Sequence, residues 1–75
     1  MSGEMRDVES SNIAAAGYDP DRQRLTVRFK SGDTYVYDDV PEQLGNDFFT
    51  AESVGKFFNG VIRSSYQGRK QEPVE

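Results

Sequence analysis

Between Arg24 and Lys30 the chain alternates strictly: Leu25, Val27 and Phe29 are apolar, and Thr26, Arg28 and Lys30 are polar. A period of two sends successive side chains to opposite faces, so this segment reads as a strand with one buried and one wet side. Ile13 to Tyr18 is small and apolar and stops at Asp19-Pro20-Asp21, a turn cluster, which makes it a strand as well. Thr34 to Asp38 follows Ser31-Gly32-Asp33 and sets Tyr35 and Tyr37 on one face of a third strand. Beyond Val40 the period lengthens. Val40-Pro41-Glu42 reads as a helix start, with proline in the first turn and an acid favoured by the helix dipole. Leu44 and Phe48 lie four apart, with Phe49 beside them. Gly45 weakens this helix by about 1 kcal/mol relative to alanine. A second helix begins at Ser53, a good N-cap. Val54, Phe57, Phe58, Val61 and Ile62 form its apolar stripe, and Tyr66 continues it. Gly55 and Gly60 lie within it, so its helicity rests on packing. The order β-β-β-α-α predicts an α+β domain: a small three-stranded antiparallel meander packed against two C-terminal helices.

The turn between the second and third strands decides where the tyrosines point. If Ser31-Gly32 is a two-residue loop, Phe29 faces Thr34, and Tyr35 and Tyr37 join Thr26 and Arg28 on the wet side. If Lys30-Ser31 forms a type I turn with Gly32 as a left-handed bulge residue, Phe29 faces Asp33, Val27 pairs with Tyr35, and Leu25 pairs with Tyr37. The second register gathers every large apolar residue of both strands except Val36 onto one face. It also places glycine where a positive φ is needed. A one-residue slip would turn the whole set over, so the second register is the expected one.

The two ends carry no such pattern. Residues 1–7 are expected to be a flexible arm. Residues 67–75, with Val74 as their one apolar side chain, are expected to be a disordered tail, because they cannot offset the entropy of ordering. The domain is then 8–66, and 75 residues leave no room for a second. Apolar residues make up only 35% of the chain, but five Phe and four Tyr supply bulk for a core. The absence of Cys and His removes disulfides, thiolate nucleophiles, imidazole bases and the usual zinc ligands. No apolar run reaches 18 residues and no signal peptide is evident, so a cytoplasmic protein with no membrane partner is expected.

The net charge of −4 is unevenly spread. Residues 1–12 carry −2, residues 13–38 are neutral, residues 39–52 carry −4 and residues 53–75 carry +2. A pI near 4.7 gives no long-range attraction for nucleic acid, and only a local basic face could supply it.

A set of residues, in order, resembles a known family. Val8, Ser10, Ser11 and Ile13 lead into Gly17-Tyr18-Asp19. Then come Leu25, Val27, Phe29 and Gly32, followed by Tyr35-x-Tyr37 and Val40-Pro41. Ala51-x-Ser53-Val54-Gly55-Lys56-Phe57-Phe58-Asn59, Ile62 and Tyr66 complete it. The whole set is similar to the KTSC domain, a family of unknown function found at the C-terminus of some lysyl-tRNA synthetases and as small free-standing bacterial proteins. Similar sequences commonly carry Tyr where Phe57 stands, so a hydroxyl there is not essential. The resemblance covers none of the synthetase catalytic core, so it implies no aminoacylation. It implies RNA binding only by association with a tRNA enzyme.

Each candidate site has an ordinary structural alternative. Tyr35 and Tyr37, the hallmark pair of the family, suit base stacking if exposed, but the favoured register makes them core residues opposite Leu25 and Val27. Ser53, Gly55 and Lys56 at a helix start suit an anion, or else simply an N-cap and a close packing contact. Lys56 and Arg63, seven apart, share one face of a regular helix and with Arg69 and Lys70 would make a basic strip. Arg28 and Lys30 lie on the wet face of the second strand. Ser10-Ser11-Asn12 reads as turn hydrogen bonding, Asn59 as a structural hydrogen bond, and the acid pairs Asp19-x-Asp21 and Asp38-Asp39 as turn residues. No enzyme, cofactor or metal is expected. The expected function is a non-catalytic interaction module that binds RNA weakly and salt-sensitively through Ser53, Gly55, Lys56, Arg63, Arg28 and Lys30. The alternative is a protein-interaction domain using the open sheet face and the acidic first helix.

Overall fold

The computed structural model describes residues 5–71. Within them lie β1 (Arg6–Asp7), β2 (Ile13–Asp19), β3 (Arg24–Phe29), β4 (Thr34–Tyr37) and helix α1 (Glu42–Thr50). Helix α2 (54–65) and β5 (Gly68–Lys70) follow. The sheet runs β1-β2-β3-β4-β5, each strand antiparallel to its neighbours. The expected α+β architecture is present, but the sheet has five strands and not three. The two added strands sit in the segments read as arm and tail. Arg6 and Asp7 pair with Ala16 and Ala15, while Gly68, Arg69 and Lys70 pair with Tyr37, Val36 and Tyr35. Residues 1–4 and 72–75 of the arm and tail lie outside the described residues.

The favoured register holds. Leu25 pairs with Tyr37 and Val27 with Tyr35. The Phe29 N–H donates to Asp33 O at 2.8 Å, and the Gly32 N–H donates to Phe29 O at 2.9 Å. Gly32 has φ +105°, a conformation that side chains with a Cβ rarely adopt. On the other side of β3 the register shifts between Ile13 and Ala15, a bulge at Ala14 that puts Ile13 and Ala16 on the same face. That face carries Ile13, Ala16, Leu25, Val27 and Tyr37, all buried, and both helices cover it through Phe48, Val54, Phe58 and Ile62.

Asp19 Oδ1 accepts from the Asp21 N–H, closing the β2–β3 turn. Val40 is fully buried, and its carbonyl accepts the Tyr18 hydroxyl at the start of α1. The Tyr18 ring lies under α1 where Gly45 leaves room: a Cβ on Gly45 would stand 2.8 Å from the Tyr18 Cγ.

Glycine to alanine inside a helix ordinarily gains about 1 kcal/mol. At Gly45 the added methyl meets a ring held by both its packing and its hydroxyl, and overpacking costs about 1–3 kcal/mol. Gly45→Ala is therefore expected to lower stability by about 1 kcal/mol, read as a lower urea midpoint with an unchanged slope. A higher midpoint would mean that Tyr18 can step aside.

Candidate functional site

The residues singled out in the sequence fall in three places. Ser53, Gly55 and Lys56 stand at the start of α2. There Ser53 Oγ accepts from the Lys56 N–H at 3.3 Å, as an N-cap should. The close approach that Gly55 permits is to Ser10, whose Oγ lies 3.0 Å from where a Cβ would sit. Ser10 Oγ also accepts from the Asn12 and Ile13 N–H groups, each at 3.3 Å, so this loop is tied to itself and lies against the helix start. Arg28 is exposed on the sheet face away from the helices, and Lys30 is exposed in the β3–β4 turn.

Arg63 is elsewhere because α2 is not a regular helix. Its first turn, Val54–Phe57, is α, but Phe58–Ile62 is a π turn in which the Arg63 N–H reaches Phe58 O, five residues back. Such a turn takes up one extra residue, so every later side chain is rotated by about 100° relative to an unbroken α-helix. The sequence expectation of a shared face for Lys56 and Arg63 assumed an unbroken helix. In the structure Arg63 instead lies over β4, beside Asn59.

There it lines a cleft of about 240 Å³ with Asn12, Phe29, Tyr35, Tyr37, Phe58 and Asn59. Phe58 and Tyr37 form its floor, 3% and 5% exposed. Phe29 and Tyr35 are half-buried and form its walls. The rings meet edge to face, at 5.8 Å for Phe29–Tyr35, 5.5 Å for Phe29–Phe58 and 5.4 Å for Tyr37–Phe58. Tyr35 and Tyr37 are thus on the core face, as the register implies, yet they also line this cleft.

The rim is polar. Asn12 is fixed by its backbone, whose carbonyl accepts from the Lys30 N–H at 2.7 Å, and its Oδ1 accepts from Ser11 Oγ at 2.9 Å. Asn59 is exposed, and its amide makes no hydrogen bond among the described residues, so the structural bond expected of it is not formed. Arg63 makes no ion pair among the described residues. No acid and no residue of α1 lines the cleft. Burial raises the Tyr37 phenol pKa; the nearby Arg63 charge opposes this without cancelling it, and Tyr35 adds to the rise.

The remaining cations of the expected basic strip are already matched. Arg69 reaches Asp38 Oδ2 at 2.6 Å, Arg24 reaches Asp38 Oδ1 at 3.0 Å, and Lys70 lies 3.5 Å from Asp33. Gly68 passes so close to the Tyr37 ring that a Cβ there would stand 2.5 Å from it. A second cleft of about 370 Å³ is lined by three acids, Asp7, Glu9 and Glu52, with Arg6 and Phe49 among others. Arg6 stacks over the Phe49 ring at 5.2 Å.

Phe29, Phe58 and Asn12 were missing from the sequence-derived site. That Tyr35 and Phe29 share the apolar face of the sheet was readable from the register. The role of Asn59 was not: four residues from Arg63, it shares that side of α2, but the sequence reading gave it a structural hydrogen bond.

The KTSC domain profile matches residues 9–66, most of the chain. The chain belongs to the KTSC domain family. A KTSC domain protein from Yersinia pestis, known by crystal structure, superposes with a TM-score of 0.87 at 40% identity. That match covers 95% of this chain and 100% of the other. A protein of Tsukamurella paurometabola is 48% identical over 63 residues, covering 84% of this chain and 94% of its own. A lysine–tRNA ligase of Nostoc punctiforme is 34% identical over 74 residues, which span 88% of this chain but only 13% of the ligase. So this KTSC domain is similar both to small bacterial proteins and to a minor part of a tRNA ligase. No helix among its described residues is long and apolar enough to cross a membrane.

Desolvation pushes the Asp38 pKa up, but hydrogen bonds and charge from Arg24 and Arg69 together outweigh it and hold the carboxyl below its ordinary value. A lowered folded-state pKa stabilises above the unfolded value, and that contribution is lost as pH falls through the folded one. The pair is exposed, so the effect on global stability is small. The Asp38 carboxyl is expected to titrate below pH 3.8, with the Arg69 amide shift following the same midpoint by NMR. An Asp38 midpoint at the ordinary aspartate value would rule out this bridge.

Proposed function

We propose that this KTSC domain is a non-catalytic interaction module that binds single-stranded RNA weakly through the cleft between β4 and α2. The observation that carries this is the unmatched Arg63 guanidinium and Asn59 amide above a floor of aromatic rings. Exposed aromatic faces stack on bases at about 1–3 kcal/mol each, here from the half-buried Phe29 and Tyr35, and single strands are the form of RNA whose bases are free to enter a pocket. The similarity to part of a lysine–tRNA ligase supports the reading by placing a related domain beside a tRNA enzyme. The net charge of −4 is the reason to expect weak, salt-sensitive binding in a cytoplasmic setting. The helix start at Ser53, Gly55 and Lys56, with Arg28 and Lys30, contributes at most outlying charge to this site, since none of these residues lines the cleft.

A second reading, a protein partner, is favoured by the acidic cleft at Asp7, Glu9 and Glu52, which suits a basic segment. The open sheet face is less suited to one, because Asp38 already holds two of its arginines.

An amide NMR titration with a short single-stranded RNA at low and then physiological salt tests the first reading. Shifts are expected at Asn12, Tyr35, Asn59 and Arg63, and Arg63→Gln should weaken binding about three- to tenfold while Lys56→Gln changes it less. Absence of shifts at low salt, or shifts confined to residues 53–56, would overturn it.

A further inference from the structure

We infer that the recognition unit of the β4–α2 cleft is a single purine nucleotide, one base and one phosphate, taken either free or from a strand. This rests on the reading of the cleft as a nucleic-acid site and specifies what enters it. The cleft, about 240 Å³, is smaller than the roughly 300–1,000 Å³ of sites that hold drug-sized ligands, so it admits one planar ring system and not two. Its apolar lining is entirely aromatic, with Tyr37 and Phe58 buried beneath and the half-buried Phe29 and Tyr35 open to a base, and a purine offers them the larger π face.

The polar groups agree in number and type. Arg63 is the one cation lining the cleft and is without an ion pair among the described residues, so one phosphate can be met there. The neighbouring Arg69 and Lys70, which would otherwise carry the track of a longer backbone, are engaged by Asp38 and Asp33. Asn59 offers a donor and an acceptor on adjacent atoms. Its N–H can donate to N7 of any purine, and in adenine its carbonyl also accepts from the C6 amino group, whereas pyrimidines have no N7. Asn12, whose Oδ1 is taken by Ser11, has its amide N–H groups left to donate. Asn59, within the π turn, and Arg63, just after it, are four residues apart on one side of α2, and such turns recur at functional sites.

The test is an amide NMR titration of the whole chain with AMP, GMP, CMP and UMP, with adenosine and inorganic phosphate as controls. An eight-nucleotide oligo(A) and oligo(U) are titrated over a range of salt. Purine monophosphates are expected to shift Asn12, Tyr35, Asn59 and Arg63 and to bind at least fivefold more tightly than pyrimidine monophosphates, adenosine or phosphate. Asn59→Ala, an exposed helical position that alanine suits, should erase the purine preference. Oligo(A) should lose affinity with salt at a log–log slope of about −0.7, that of one phosphate contact on a single strand. If oligonucleotides shift the cleft but purine and pyrimidine nucleotides bind alike, or the slope is −2 or steeper, the single-purine inference is overturned while the RNA reading stands. If neither nucleotides nor oligonucleotides shift the cleft, both are overturned.

Discussion

The pairing of β3 with β4 is the constraint on which the rest of the domain depends. Gly32 at φ +105° closes the turn so that Phe29 meets Asp33, and everything downstream of that one residue follows in register. Leu25, Val27, Tyr35 and Tyr37 are thereby held on one face, and the helices have a single apolar surface to cover. A slip by one residue would have sent both tyrosines to the solvent side and left α2 without a partner. The same register builds the cleft, because its floor and walls are core-face residues at the point where α2 stops covering them. Core and site are one arrangement of rings, with Phe58 and Tyr37 belonging to both.

That dependence explains what was legible in the sequence. β2, β3 and β4 were legible because each carries enough alternating or apolar residues to specify a buried side, and the turn chemistry at Gly32 discriminated between two registers. Both helices were legible from their stripes and from Pro41 and Ser53. β1 and β5 were not. Arg6-Asp7 is too short for a period to exist, and Gly68-Arg69-Lys70 contains no apolar side chain. β5 is selected by features visible only in three dimensions: backbone groups left open on β4, the space over Tyr37 that only a glycine fits, and carboxylates at Asp33 and Asp38 waiting for its two cations. The entropy argument against ordering the tail was sound for an isolated segment but took no account of an existing sheet edge to receive it.

The site was half legible for a related reason. Tyr35, Tyr37 and Arg63 were each identified, but the sequence treated Arg63 as a neighbour of Lys56. The inserted π residue separates those two, and Arg63 lines the cleft with the tyrosines and with Asn59, four residues before it. The apolar stripe gives no warning, since Phe57, Phe58, Val61 and Ile62 suit either helix type. Gly60, inside the π turn, is the one local sign of a helix whose geometry is set by packing rather than by propensity.

An acidic protein with a cationic pocket is not a contradiction once distances are considered. At physiological salt the Debye length is about 8 Å, whereas the molecule measures 36 × 28 × 22 Å. Charges at one end are therefore largely screened at the other, and a ligand in the cleft responds to the groups that line it. Those are one arginine, two amides and four rings, with no carboxylate among them. The acids of residues 39–52 lie on and around α1, which contributes nothing to the cleft. Their effect is on approach from a distance, where the net charge of −4 slows the encounter with a polyanion but disfavours a single phosphate far less. Asp33 and Asp38 have the further role of neutralising Arg69 and Lys70, which would otherwise extend the positive surface along β5 and favour longer chains. The charge pattern thus narrows what the cleft can hold instead of opposing binding outright, in keeping with the proposed recognition of a single nucleotide.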